Sequence, residues 1–184
     1  MCIRDRLFPE ARVVHVYRDG RDTAMSMSRH HNFRVLLGAI LVARRLGVDV
    51  RRAFLKPKGS PLEVLVQALA FQRLDPDRLA ARPGLADFGA FWSDLELAGQ
   101  QVLGRLPPGR LLSLRFEEVQ AAPREKLAEL IRFIDPSLED AAWLEAVARV
   151  PRPARSTHRD LPDEQRAALT EACAPGLERL GYLP

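Results

Sequence analysis

Cysteine is nearly absent from this chain: the 184 residues hold two, Cys2 and Cys173. Two cysteines so far apart make neither a metal-ligand spacing nor a disulfide framework, which excludes zinc modules and disulfide-stapled secreted domains. A reducing compartment is the simplest setting, and a cytoplasmic location is expected. Long apolar runs are missing too. The stretch 35–43 is strongly apolar but much shorter than the ~20 residues of a membrane-spanning helix, so no transmembrane segment is expected. Like-charge blocks are also absent, and the arginines are scattered over predicted helices, so no nucleic-acid partner is expected. His30 and His31 are adjacent and cannot share a helix face, and no Cys or carboxylate stands at ligand spacing; no metal is expected. No internal repeat or low-complexity stretch divides the chain, which is read as one partial domain over 1–184.

What is present suits a folded α/β domain. Hydrophobic residues make up 47% and charged residues 28%, enough for one core. The formal charge of +4 and pI near 9.6 fit an anionic ligand. A strand is predicted over 13–17, with a helix after it to about residue 29 and another over 33–46. Ser60-Pro61-Leu62-Glu63 reads as a capping box with proline at the first helical position, opening a helix to about residue 74. Helical spacing runs from Phe88 through Phe91, Trp92, Leu95, Val102, Leu103 and Leu106 until Pro107-Pro108-Gly109 breaks it. A second strand follows at 110–115. Leu127, Leu130, Ile131 and Ile134 lie at i, i+3, i+4 and i+7, the one-sided pattern of a packed helix. Asp135-Pro136-Ser137 marks a turn, and a helix continues to about residue 149. The last helix starts near Pro162, with a kink expected at Pro175 and a stop at Gly181. Two parallel strands need neighbours and helical cover on both faces. Trp92, Trp143 and Phe116 are read as core residues, and His15 as a satisfied sheet residue.

The most informative stretch is Val13-Val14-His15-Val16-Tyr17-Arg18-Asp19-Gly20-Arg21-Asp22-Thr23-Ala24-Met25-Ser26. A buried-strand run ends in Arg-Asp-Gly-Arg-Asp and then opens a helix. Ligands of open α/β sheets sit outside the carboxyl ends of parallel strands, so Arg18, the first side chain past the strand, is a candidate anion ligand. Its planar fork donates to two phosphate oxygens at once and stays charged at any accessible pH. Ser26 lies eight positions on (26 − 18 = 8), about two helical turns away, with a hydroxyl suited to the same anion. Asp22 is read as a helix-start or structural partner, not as a catalyst.

Tyr17-Arg18, Asp22 and Ser26 after a strand resemble the 3′-phosphate-binding motif of sulfotransferases that use 3′-phosphoadenosine 5′-phosphosulfate (PAPS). A second block, Leu111-Leu112-Ser113-Leu114-Arg115-Phe116-Glu117-Glu118-Val119 followed by Pro123 and a helix, is similar to that family's strand, "R-Y-E-D-L" and "P", with Phe116 where tyrosine is frequent. A third, Leu161-Pro162-Asp163-Glu164-Gln165 through Leu177, Leu180, Gly181 and Tyr182, resembles its final helix ending in "L-G-Y".

The resemblance implies an α/β, P-loop-NTPase-like parallel sheet flanked by helices, here helix-rich with about two core strands. It implies transfer of a sulfuryl group from PAPS to a hydroxyl or amine of a small-molecule, carbohydrate or lipid acceptor. Nucleotide-binding roles fall on Arg18, Ser26 and Phe116, and on Arg155 and Ser156 in a basic stretch before the final helix where the family's usual glycines are absent. The helical region 30–106, including Leu36, Ile40 and Leu41, is expected on the acceptor side.

The family's "P-K-S-G-T-T"-like loop, which holds the 5′-phosphosulfate, has no clear counterpart. Lys56-Pro57-Lys58-Gly59-Ser60 follows no clear strand and is a decoy. The usual catalytic base would precede residue 1. Met1-Cys2-Ile3-Arg4-Asp5-Arg6 joins no strand pattern, lacks a signal-peptide core, and resembles a translated sequencing-adapter remnant. The chain is therefore expected to be a carboxyl-terminal portion of a longer enzyme, inactive alone. A non-catalytic nucleotide-binding or helical interaction module is the alternative.

Overall fold

The β-branched run before Arg18 is extended, as its composition favours. In the computed structural model, which describes residues 10–47, 82–152 and 157–184, it forms β1 (Val13–Tyr17). The expected helix at 60–74, the string 56–60, Arg155 and Ser156 lie outside the described residues. The chain divides into two compact units, residues 1–19 with 98–156, and 20–97 with 157–184.

In the first unit β1 pairs in parallel with β2 (Leu111–Arg115), in register from Val13 opposite Leu111 to Tyr17 opposite Arg115. The helices α1 (Gly20–Arg29), α2 (His31–Arg45) and α3 (Leu85–Leu103) lie between the two strands in sequence. A parallel pair requires such a crossover. His15 stacks on Tyr17 two positions along the same face of β1, ring centroids 5.5 Å apart. Val14 and Val16 point the other way, and Val16 is 56% exposed. β2 runs without a loop into α4 (Phe116–Ala121), and α5 (Pro123–Ile134) follows with proline at its start, where the missing N–H costs nothing. Arg12 donates to the terminal carbonyls of α5 at Phe133 and, at 2.9 Å, Ile134, satisfying groups the helix leaves open. Arg110 donates twice to the carbonyl of Ala11, at 2.9 and 2.6 Å, fixing the entry to β1. Ala128 of α5 and Leu144 of α6 (Ala141–Val147) are buried. Asp140 caps α6 by accepting the Trp143 N–H at 2.6 Å. That cap leaves Trp143 on the outer side, 44% exposed, so the expectation of a core anchor fails there.

The second unit is helical. It comprises α1, α2, α3 as far as residue 97, a 3-10 turn (Thr157–Asp160) and α7 (Asp163–Arg179). Its core joins Ala24, Met25 and Met27 of α1, Leu37 of α2, Phe88 and Trp92 of α3, and Leu169, Cys173 and Leu177 of α7. Trp92 is the keystone: a methyl added at Gly20 would fall 2.1 Å from its ring, and one at Gly176 would fall 2.7 Å away. Two glycines therefore let three helices close on one indole. Pro175 interrupts the α7 ladder, and the adjacent Gly176 N–H donates to Ser93 Oγ of α3 at 2.9 Å, so the irregular turn is bonded across the core. Gly181, at φ 71°, ends the segment as expected. The parallel pair with flanking helices is the α/β arrangement read from the sequence.

Candidate functional site

Chemistry gathers where the paired strands end. Because Tyr17 stands opposite Arg115, the next residues, Arg18 and Phe116, emerge side by side at the carboxyl edge of the sheet. They touch: the Arg18 guanidinium lies over the Phe116 ring, 5.7 Å from its centroid. The aromatic face attracts the cation and orients its plane. A second link reinforces the first, since the N–H of buried Asp19 donates to Glu117 Oε1 at 3.0 Å. Each strand's first two following residues are thus bound to those of its neighbour. Phe116 is half-buried beneath the guanidinium instead of being a core residue.

Ser26 lies on the exposed side of α1 in the second unit, between buried Met25 and Met27. One turn before it, Asp22 is 5% exposed and faces inward. Its Oδ1 accepts the backbone N–H of His158 at 3.1 Å and lies 3.0 Å from His158 Nδ1, and Thr157 Oγ1 stands 3.5 Å away. His158 is itself 5% exposed. The reading of Asp22 as a structural partner holds, but its partner was not foreseen. The two are 136 residues apart, and no local pattern joins them. The available signal was a hydroxyl and an imidazole side by side immediately before the last helix.

Arg18 and Phe116 are thus brought together, and Ser26 is presented on the surface of α1. Leu36, Ile40 and Leu41 of α2 are half-buried, with Ile40 against the core. A concavity of about 540 Å³ lies between α5 and α6, lined by Pro123, Arg124, Ala128, Arg132, Glu139 and Leu144 among others. Arg18, Ser26 and Phe116 are not among its lining residues. Arg132 closes on Glu139 there at 2.7 and 2.5 Å, so its charges answer one another. Among the described residues no group of three His, Cys, Asp or Glu side chains is arranged to hold a metal ion, and no helix is long and apolar enough to cross a membrane.

The sulfotransferase domain model matches residues 4–150 of the 184, taking in both strands, Arg18, Ser26 and Phe116. No curated protein and no solved structure shows significant similarity to the chain. With a cation at the carboxyl edge of a parallel pair and a family match over more than half of its length, the chain belongs to the sulfotransferase domain family, whose chemistry is sulfuryl transfer.

Proposed function

We propose that the donor is PAPS, that Arg18 and Ser26 bind its 3′-phosphate, and that the acceptor is a hydroxyl or amine of a small molecule, carbohydrate or lipid. The observation that carries this reading is the Arg18–Phe116 contact at the edge where α/β sheets take their ligands. An oriented guanidinium suits a terminal phosphate, and its aromatic neighbour offers apolar surface to a purine nucleotide. Arg155, with its charge, and Ser156, with its hydroxyl, are proposed as further nucleotide contacts on the sequence alone. In sulfuryl transfer, as in phosphoryl transfer, positioned cations stabilise charge on the equatorial and leaving oxygens while a base accepts the nucleophile's proton. Groups that grip only the distant 3′-phosphate supply binding but no rate. The 184 residues are accordingly expected to bind nucleotide without robust turnover. On the acceptor side, Leu36, Ile40 and Leu41 of α2 are the proposed apolar lining.

Calorimetry with adenosine 3′,5′-bisphosphate against adenosine 5′-phosphate is the test. Arg18→Ala should weaken the bisphosphate by about 2–4 kcal/mol, the loss of an ionic, multi-donor contact. Ser26→Ala should cost about 1 kcal/mol, one hydrogen bond. Equal affinity for the two nucleotides, or an Arg18→Ala variant that binds like wild type, refutes the assignment.

A further inference from the structure

The second unit buries a charged constellation that the proposed phosphate contacts do not use. Asp22, at the first turn of α1, receives the backbone N–H and faces Nδ1 of His158, with the Thr157 hydroxyl beside it. Thr157 also lies 3.5 Å from Met25 Sδ. Residues 157–158 therefore run along the turn of α1 immediately before Ser26, and Asp22 and Ser26 are neighbours at i, i+4 on that helix.

Such a constellation is a poor device for stability alone. Removing a carboxylate and an imidazole from water costs free energy that their attraction returns only when geometry is good, and apolar replacements of similar volume are often as stable. What a satisfied buried polar network adds is a single geometry. Here it also settles an electrostatic conflict. A bare carboxylate one turn from Ser26 would repel an anion held there, whereas this one has its oxygen engaged by N–H donors that face its charge.

We propose that Asp22 and His158 are positioning residues for the nucleotide's 3′-phosphate: they lock the start of the C-terminal segment to α1, hold the Ser26 turn in place, and mask the Asp22 charge from the bound anion. This rests on the assignment of Ser26 to that phosphate. The pair acts through Ser26 and does not touch the nucleotide.

The test uses the full chain and the same two nucleotides. His158→Phe keeps a ring but removes both nitrogens, and Asp22→Asn keeps an acceptor but removes the charge. Each should weaken adenosine 3′,5′-bisphosphate several-fold to about tenfold, the scale of a charged hydrogen bond, with adenosine 5′-phosphate unchanged. His158→Asn, which returns an N–H near the place of Nδ1, should recover most of the loss. In a double-mutant cycle, Ser26→Ala should cost much less in the His158→Phe background than in wild type, because the Ser26 contact is already compromised. Should His158→Phe fail to fold, Asp22→Asn and its cycle with Ser26→Ala carry the same decision. Folded variants that keep the wild-type preference for the 3′-phosphate, or that lose both nucleotides equally, overturn the proposal. Under either result, a wild type that prefers the bisphosphate and an Arg18→Ala variant that loses it leave the functional reading standing. A wild type without that preference refutes both.

Discussion

The Phe116 ring lies against the Arg18 guanidinium, and this contact has consequences for ligand binding. A carboxylate in that place would compete with phosphate for the guanidinium, whereas an aromatic face orients it without occupying its donors. Phe116→Ala should therefore lower affinity for adenosine 3′,5′-bisphosphate by about 0.5–2 kcal/mol, the range of a cation–π contact, while Phe116→Tyr, which keeps the ring, should stay near wild type. Titration calorimetry on the two variants decides this, and an alanine variant as tight as wild type would show that the ring orients nothing. Arg18 was legible in the sequence because strand end, charge and helix start coincide within a few residues. Its contact with Phe116 was not: it depends on which residues of two distant strands stand opposite each other, and the register is a tertiary fact.

Most elements were readable, and the differences have local causes. β1 and the helix to Arg29 lie where the β-branched run and its Arg-Asp-Gly terminator put them. α3 begins at Leu85, ahead of the apolar spacing that starts at Phe88, because Asp87 Oδ2 accepts the Gly84 N–H at 2.7 Å while the Asp87 N–H returns to the Gly84 carbonyl at 3.1 Å. Hydrophobic periodicity does not register a reciprocal polar cap of that kind. The turn between α5 and α6 carries a pH dependence of its own. Hydrogen bonding from Arg132 holds the Glu139 carboxyl below its ordinary 4.5, and hydrogen bonds from Ser137 hold Asp135 below 3.8. The unfolded chain takes up these protons first, so their contribution is complete above the ordinary values and is lost as pH falls through the lowered ones. Glu139→Gln should flatten part of that acid loss. Urea midpoints at neutral pH and near pH 3.5, in the lower carboxylate range, provide the check: the wild type should fall further than the variant, and parallel shifts would exclude the Arg132–Glu139 pair as a contributor.

At the scale of the whole molecule, the chain places a parallel strand pair in one unit and a helical core in the other. The alternation of strand and helix made that class readable, while the packing around Trp92 was invisible because nothing in the spacing of Gly20, Trp92 and Gly176 marks them as neighbours. Gly20→Ala should destabilise the protein by about 1–3 kcal/mol through overpacking, seen as a lowered urea midpoint. Trp92→Leu in the same chain should recover part of that loss; if Gly20→Ala costs the same with leucine at 92, the clash with the indole is not its cause. The three positions consequently form one unit of heredity. Relatives that carry a side chain at 20 or 176 should carry a smaller residue at 92, and a lineage that keeps tryptophan there has surrendered its freedom to vary at both glycines, one of which lies two residues from Arg18.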